Sequence, residues 1–270
     1  MQIVDYMEEH GHEQLAIWTD PSVGLRAFIA IHDTTLGPSL GGVRIWPHPT
    51  EAQAILDVLR LSKAMTYKSA VAGLPLGGGK GLIMIAPGAR KSEAMLRSYG
   101  RFVESLGGRY VTTEDVGATT QDLDWVSRET QYVVGLSKDK GGSGNPATVT
   151  GYGLFEAMKA TSKFVWGTDS LQGRTVALQG FGNVAHALSL HLIREGAELL
   201  VTDISEEKRT AAASLSGVSV IDDPDTIYDA ECDIFAPCAL GGVLNSQTIP
   251  RLRCEVVCGG ANNQLAEIDD

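Results

Sequence analysis

The sequence has too few basic residues for a typical nucleic-acid-binding protein and apolar runs too short for a membrane protein. Its 270 residues include 33 Asp and Glu against 22 Lys and Arg, whereas proteins that bind nucleic acid usually carry an excess of positive charge. The longest apolar runs, such as that from Leu82 to Ala86, are far below the roughly 18 residues that a membrane span needs. The first residues are acidic where a signal peptide would be basic and then apolar. We therefore expect no nucleic-acid partner and no membrane partner.

Cysteine is also scarce. Four cysteines are too few for a disulfide scaffold of this size, and they include no C-x-x-C pair. The six histidines form no H-E-x-x-H motif. We therefore expect a cytoplasmic protein without a bound metal.

The residues that are present describe a globular α/β protein. Apolar residues make up 43% of the chain, and short apolar runs alternate with segments of helical periodicity. This alternation predicts an α/β fold. In the first half, the predicted strands cover residues 25–32, 81–85 and 109–113, and the predicted helices cover 51–64 and the segments that follow Ser92 and Thr119 or Thr120, which are good N-caps.

A change of composition divides the chain into two predicted domains. Residues 138–151 are rich in Gly, Ser, Lys and Pro, which is typical of a loop. We predict a boundary there, with domains 1–145 and 146–270 and a helix at about 151–165 between the two halves. From Gly173 onward the pattern predicts five strands with connecting helices.

A glycine motif follows the first strand of the second domain. The pattern G-x-G-x-x-A comes directly after TVALQ and opens a helix, as in dinucleotide-binding proteins. Gly180 permits the tight turn, Gly182 lets the backbone approach a pyrophosphate, and Ala185 allows close packing of helix on strand. Asp203 ends the next strand, where a carboxylate binds ribose hydroxyls and disfavours a 2′-phosphate, so NAD is predicted rather than NADP. The predicted cofactor-binding residues here are Gly180, Phe181, Gly182, Asn183, Val184, Ala185 and Asp203.

Two lysines in the first domain are candidates for catalysis. Gly79-Lys80 matches the end of a P-loop, but Leu74 and Gly81 stand where that motif needs Gly and Ser or Thr. A single lysine is more often a solvated surface charge than a functional group. If Lys68 and Lys80 meet beside a partly buried cleft, however, one pKa falls toward neutrality. A lysine of that kind can act as a general acid or base.

Several segments together resemble the leucine dehydrogenase branch of the glutamate/leucine/phenylalanine/valine dehydrogenase family. They are LGPSLGGVRIW, LRLSKAMTYKSAVAGLPLGGGKG, RYVTTEDVG, LQGFGNVA and DIFAPCALGGVLNSQTIP. The resemblance implies an N-terminal α/β substrate domain, a Rossmann-like NAD-binding domain and a homo-oligomer. It also implies NAD-dependent oxidative deamination of an L-amino acid to its 2-oxo acid with release of ammonia, in a reversible reaction.

The resemblance also implies a role for each motif residue. Lys68 would hold the α-carboxylate of the substrate, and Lys80 would be the base that activates water for attack on the imine. Asp115 would accept a hydrogen from the amino group and relay protons with Lys80. Gly77 and Gly78 would line the substrate with backbone. Thr150, Ala261 and Asn262 would lie around the nicotinamide end of the cofactor.

The side-chain pocket that the resemblance implies is mostly apolar. The matching residues are Leu40, Gly41, Met65, Thr113 and Val134. A glutamate enzyme would need a cation there for the second carboxylate, so a branched aliphatic substrate is expected, with leucine first. Valine, phenylalanine and tryptophan stay open as alternatives, because one methylene changes the binding energy in such a pocket by only about 1–3 kcal/mol.

The family resemblance leaves one further alternative. Relatives continue beyond the ANNQL segment, so the resemblance implies that this chain lacks the C-terminal tail of the family. The chain is then a fragment or a naturally short form. A catalytically incomplete NAD-binding fragment is the alternative to an active dehydrogenase.

Overall fold

A computed structural model describes residues 2–266 and divides the chain into two compact units, Met1–Asn145 and Pro146–Asp270. Each unit combines helices with one five-stranded sheet. The predicted α/β fold class is confirmed.

The first unit contains a mixed sheet with the strand order β1-β2-β4-β3-β5. The pairs β1–β2 and β2–β4 are antiparallel, whereas β3 runs parallel to both β4 and β5. Its elements are α1 (Ile3–His10), β1 (Gln14–Asp20), β2 (Leu25–Asp33), β3 (Ser39–Trp46), α2 (Glu51–Val71), β4 (Gly77–Met84), α3 (Glu93–Ser105), β5 (Tyr110–Glu114) and α4 (Thr120–Val126), followed by a 3-10 turn at Lys138–Lys140.

Both faces of this sheet carry an apolar core. On one face Ile29, Ile83, Tyr99 and Phe102 belong to a cluster that includes α3 and α4. On the other face Phe28, Leu82, Val58 and Leu59 form a cluster with α2. Neighbouring strand residues therefore point to opposite cores, as the pleat requires.

The helix caps of this unit agree with the sequence analysis. Ser92 accepts a hydrogen bond from the backbone of Met95 and begins α3. Thr119, rather than Thr120, caps α4 in a capping box with Asp122. The reciprocal bonds satisfy backbone donors that the first turn of a helix leaves open.

The glycine run before Lys80 is part of a strand, although only residues 81–85 were predicted as one. A Cβ atom at Gly78 would lie 2.1 Å from the backbone nitrogen of Thr66 on α2, and one at Gly79 would lie 2.7 Å from the ring of Tyr110. Side chains at these positions would therefore separate β4 from its neighbours on both faces. The run is needed for packing inside the unit, in addition to any contact with a ligand.

Three further differences concern elements that the sequence analysis did not predict or predicted too short. The elements α1, β1 and β3 were not predicted, and α2 continues to Val71 instead of ending near residue 64. The longer α2 places Lys68 on a helix. In the second unit, α5 already begins at Ala147, so the predicted loop at 138–151 is shorter than expected.

The second unit contains an all-parallel sheet with the strand order β10-β9-β6-β7-β8. The chain order reverses beside β6, and in such sheets ligands bind at the carboxyl ends of the strands where the order reverses. Its elements are α5 (Ala147–Trp166), β6 (Thr175–Gln179), α6 (Asn183–Glu195), β7 (Glu198–Thr202), α7 (Glu206–Ala213), β8 (Val218–Val220), β9 (Ile234–Pro237) and β10 (Val256–Val257), with 3-10 turns at Pro224–Asp229 and Ile249–Arg251.

Candidate active site

A buried ion pair joins the two predicted catalytic residues. Lys80 lies within β4 and is 2% exposed, and its Nζ donates a hydrogen bond of 2.5 Å to Oδ2 of Asp115. Asp115 directly follows β5, and β3 lies between the two strands. The sheet therefore brings together two residues that are far apart in the sequence.

Arg44 is a further member of this site that the sequence analysis did not single out. It lies on β3 and is buried, and its Nε donates a hydrogen bond of 3.3 Å to the same Oδ2 of Asp115. Its Nη1 donates bonds of 2.8 and 3.0 Å to the carboxylate of Asp57 on α2, and Nε2 of His48 lies 3.3 Å from that carboxylate. We call Lys80, Asp115, Arg44 and Asp57 the charge cluster. The one signal in the sequence was an arginine within an otherwise apolar segment.

Burial and neighbouring charges set the protonation of the charge cluster. Burial lowers the pKa of Lys80 because it disfavours the ammonium form; Asp115 opposes that shift and Arg44 adds to it. Burial would raise the pKa of Asp115, but the positive charges of Lys80 and Arg44 hold it at about 2. The cluster thus combines a lysine that loses its proton more readily than usual with a carboxylate that stays ionised, which is an arrangement suited to proton transfer.

Lys68 and Met65 lie toward the end of α2. The Lys68 side chain is exposed and makes no hydrogen bond or ion pair with any residue of the range 2–266. Its ammonium is therefore available for an anionic ligand. Met65 is half-buried and precedes Thr66, which lies against Gly78 of β4.

Gly77 and Gly78 begin β4 and are buried. A Cβ atom at Gly77 would lie 2.0 Å from the carbonyl oxygen of Asp33, and the Gly77 amide already donates to the carbonyl of Pro38 at 3.0 Å. These glycines can offer a ligand backbone atoms only.

The residues predicted to line the side-chain pocket come from neighbouring strands. Leu40 and Gly41 lie on β3, and Leu40 pairs with the start of both β4 and β5. Thr113 lies on β5. Val134 is 46% exposed, and its amide donates to the carbonyl of Thr112 at 2.9 Å, which places it beside Thr113. The first unit thus collects these four residues at one part of its sheet.

The glycine motif of the second unit lies at the carboxyl end of β6. Gly180 has a φ of 96°, and a Cβ atom there would lie 2.7 Å from Cβ of Ala239, so the turn requires glycine. Gly182 is the N-cap of α6, and a Cβ atom there would meet nothing within 4 Å. This open space beside a helix N-terminus fits a phosphate group. Of the other motif residues, Phe181 and Ala185 are buried, Val184 is half-buried and Asn183 is exposed.

Asp203 directly follows β7 and is fixed beside the glycine turn. Its Oδ2 accepts a hydrogen bond of 2.7 Å from the Phe181 amide, and its Oδ1 accepts one of 2.8 Å from the Ser205 amide. Each carboxylate oxygen can accept more than one bond, so Asp203 can still bind a hydroxyl.

The remaining cofactor candidates lie on neighbouring segments of the second unit. Thr150 is exposed in the first turn of α5. The next residue, Gly151, packs closely on α6, because a Cβ atom at Gly151 would lie 2.7 Å from an atom of that helix. The Ala261 amide donates to the carbonyl of Pro237 at 2.9 Å, so Ala261 and Asn262 lie near the carboxyl end of β9. Both segments are therefore at the carboxyl ends of the strands, the side on which sheets of this kind bind their ligands.

Comparison with known proteins decides the ancestry of this site. A family model described as "Glu/Leu/Phe/Val dehydrogenase, dimerisation domain" matches residues 12–132, and one described as "Glutamate/Leucine/Phenylalanine/Valine dehydrogenase" matches residues 141–205. A leucine dehydrogenase of Thermoactinomyces intermedius is 54% identical over 267 residues, which are 99% of this chain and 73% of that protein. The chain belongs to the glutamate/leucine/phenylalanine/valine dehydrogenase family. It is an enzyme, an amino acid dehydrogenase, and its reaction is oxidative deamination.

Two other relatives are named for different substrates. A valine dehydrogenase of Streptomyces virginiae is 47% identical over 97% of this chain and 74% of its own length. The crystal structure of L-tryptophan dehydrogenase from Nostoc punctiforme has a TM-score of 0.68 and 44% identity, covering 98% of this chain and 75% of that one. The family thus includes enzymes that are named for different amino acids. The second unit of this chain is a Rossmann-like domain, which is consistent with the binding of a nicotinamide dinucleotide.

Residues 2–266 contain neither a candidate membrane span nor a candidate metal site. No helix in that range is long and apolar enough to cross a lipid bilayer. The same residues contain no group of three or more His, Cys, Asp or Glu side chains arranged to hold a metal ion.

The coupling within the charge cluster predicts a pH-dependent stability. At neutral pH, Asp115→Asn should destabilise the protein by on the order of 3 kcal/mol, because Lys80 and Arg44 lose a buried partner. Asp115 has a pKa of about 2 in the folded wild-type protein and the ordinary 3.8 in the unfolded chain. This difference stabilises the folded protein above pH 4 and is lost as the pH falls toward 2. The cost of the substitution should therefore fall by about 2 kcal/mol over this range. Urea unfolding of both proteins across this pH range measures the difference.

Asp222→Asn is the matched control. Asp222 is exposed and makes no hydrogen bond or ion pair within the described chain. Its substitution should cost little at any pH. A cost of Asp115→Asn that stays constant from pH 6 to pH 3 would contradict the depressed pKa.

Proposed function

We propose that this enzyme converts a branched-chain L-amino acid, leucine in the first place, to its 2-oxo acid with NAD as the oxidant, releasing ammonia, and that it also catalyses the reverse reaction. The observation that carries the proposal is the buried pair of Lys80 and Asp115 with Arg44 at the same carboxylate oxygen. The first unit, residues 1–145, is the substrate and catalytic domain, and the second, residues 146–270, is the NAD-binding domain.

Lys68 binds the α-carboxylate of the amino acid. Its ammonium is exposed and unpaired within residues 2–266, which suits the capture of an anion from solvent. Because α2 packs directly on Gly78, the end of this helix lies against the start of β4. Gly77 and Gly78 would add backbone contacts to the substrate.

Lys80 is the general base. Its burial and the nearby Arg44 both favour the neutral amine, which can take a proton from water as that water attacks the imine carbon. The reaction should therefore speed up as the pH rises through the lowered pKa of Lys80. NAD, when bound, accepts the hydride that leaves the substrate α-carbon.

Asp115 accepts a hydrogen bond from the substrate amino group and relays protons with Lys80, being protonated only during a transfer. Between transfers it stays ionised, even when Lys80 has lost its charge. Arg44 provides for this, because it keeps a cation at Oδ2 of Asp115 in either protonation state of Lys80. Arg44 is thus a positioning residue, and Asp57 holds it from α2.

The cofactor proposal rests on the turn after β6. Gly182 leaves open space at the N-terminus of α6 for the pyrophosphate, and Asp203 presents a carboxylate where the adenosine ribose would lie. A carboxylate repels a 2′-phosphate, so NAD is preferred over NADP. Asn183, Val184 and Ala185 belong to the same turn, and Thr150, Ala261 and Asn262 would bind near the nicotinamide.

The substrate proposal combines the pocket with the relatives. Leu40, Gly41, Met65, Thr113 and Val134 offer no cation for a second carboxylate, which disfavours glutamate. Leucine dehydrogenases are 51–54% identical to this chain, whereas the valine enzymes reach 46–47%. Valine and the aromatic amino acids are the second candidates.

Residues 12–132 match a dimerisation domain, which supports a homo-oligomer. We expect the protein in the cytoplasm.

A substrate panel tests the reaction and its specificity. NADH formation is followed at alkaline pH with leucine, valine, isoleucine, phenylalanine, tryptophan and glutamate, each as the L-isomer. Leucine should give the highest kcat/KM and glutamate no turnover. A higher value for valine or an aromatic substrate would replace leucine in the proposal. Folded protein that binds NAD but turns over none of these six amino acids would contradict the proposed substrate class.

Lys80→Ala should lower kcat by roughly a hundred- to ten-thousand-fold, the range of general base catalysis, and leave NAD affinity nearly intact. The fold should survive because Asp115 keeps Arg44 as its partner. Steady-state kinetics and NAD titration measure the two effects. Lys91→Ala is the matched control, since Lys91 forms an ion pair with buried Asp122 in the same unit but outside the charge cluster. Near wild-type turnover of Lys80→Ala would remove Lys80 from the mechanism.

Asp203→Ala should weaken NAD binding by roughly ten- to a hundredfold, the value of a hydrogen bond to a charged group, and bring NADP affinity closer to that of NAD. Calorimetric titration with both dinucleotides measures this change. The control is Asp233→Ala, because Asp233 also accepts from a backbone amide, that of Thr175, but at the amino end of β6. Unchanged selectivity of Asp203→Ala would contradict the ribose contact.

A further inference from the structure

Two cysteines face each other at the amino ends of β9 and β10. Within these strands Ile234 pairs with Val256, and the preceding bridge between Glu231 and Arg253 keeps the same register. This register places Cys232 directly opposite Cys254. Residues opposite each other on paired strands point to the same face, and paired strands lie about 4.8 Å apart, within the Cα separation that a disulfide accepts.

The two thiols are free and interact directly. Both are half-buried, and they pack at the edge of the apolar cluster around Ile227, Tyr228 and Phe235. The two side chains lie close enough that each shifts the pKa of the other. The Cys232 amide donates to the Arg253 carbonyl at 3.3 Å, which holds the two segments together.

The environment makes one of the two thiols the better nucleophile. The neighbouring Cys232 thiol, helped by backbone groups of Phe235 and Val256, lowers the pKa of Cys254, although burial opposes the shift. The proximity of Cys254 in turn raises the pKa of Cys232. Cys254 is therefore the thiol of the pair that ionises more readily to the thiolate, the form that attacks disulfides.

We propose that Cys232 and Cys254 are a reversible oxidation site that closes to a disulfide when the protein meets a low-molecular-weight disulfide such as oxidised glutathione. The Cys254 thiolate attacks one sulfur of glutathione disulfide, which forms a mixed disulfide and releases one glutathione thiolate. Cys232 then loses its proton and attacks the Cys254 sulfur, which releases the second glutathione. The protein dithiol is oxidised and the glutathione disulfide is reduced to two thiols.

The other two cysteines provide an internal comparison. Cys238 and Cys258 also lie on the segments of β9 and β10, but the register pairs Ala236, not Cys238, with Cys258. Burial raises the pKa of Cys238 to about 11 and also raises the pKa of Cys258. This second pair is out of register and lacks a thiolate at neutral pH. It should stay reduced under conditions that oxidise the first.

The test is a titration of the full chain with oxidised glutathione at neutral pH and low protein concentration. Free thiols are blocked with N-ethylmaleimide, and the digested protein is analysed by mass spectrometry without reduction. Two of the four thiols should be lost, one peptide should link Cys232 to Cys254, and dithiothreitol should restore all four thiols. The oxidised protein should also unfold at a temperature several degrees higher. The bond closes the segment from Asp233 to Arg253 into a loop, which lowers the conformational entropy of the unfolded chain.

Variants separate the two roles. Cys232→Ser should trap glutathione on Cys254, because the second thiol is missing, whereas Cys254→Ser should react slowly or not at all. The double variant Cys238→Ser with Cys258→Ser should oxidise like the wild type. Four thiols that remain free in the wild type at an excess of oxidised glutathione would overturn the proposal. So would a link between Cys238 and Cys258, or equal modification of all four cysteines.

Discussion

The carboxylate of Asp115 shared by two buried cations is the constraint on which the first unit depends. A charge inside a protein needs a partner, because the loss of its hydration costs several kcal/mol. Lys80 and Arg44 meet this need at one oxygen of Asp115, and Arg44 also binds Asp57. Three neighbouring strands and one helix are thereby tied to each other through charge as well as through apolar packing. With Lys80 protonated, two positive charges balance two negative ones.

The same arrangement would let the proposed base, Lys80, lie beside an anion. A lysine next to a lone aspartate would keep its proton, since the pair stabilises the charged form of both. Arg44 changes this balance because it remains charged throughout, so that Asp115 never loses its counterion. The close approach of α2 to the glycine run of β4 then sets the end of that helix, with Lys68, against the strand that carries Lys80.

Some of this architecture was readable from the residues, and some was not. The α6 helix at Asn183–Glu195 and the turn before it carry local signals, namely glycines at fixed spacing and a strand on each side, so the turn and the start of the helix were predicted. The strand β3 was missed because Gly41 and Gly42 interrupt its apolar pattern. Both positions need glycine because a Cβ atom there would overlap the backbone of a neighbouring segment. Arg44 was missed for a related reason. Its partners are Asp115, which follows β5, and Asp57 on α2, and no local pattern reports a contact between segments that only the tertiary fold brings together.

The strand arrangement of the two units has a consequence for how the chain folds. In the first unit, β1 and β2 form an antiparallel hairpin across a short turn, so this pair can form early at a small entropic cost. In the second unit every strand pair is parallel, and each therefore needs a long crossover before its hydrogen bonds can begin. Non-local pairings of this kind slow folding and expose strand edges for longer. During synthesis, the hairpin is complete long before the last strands of the second sheet, so the second unit is the part of the chain that has most need of protection from aggregation while it folds.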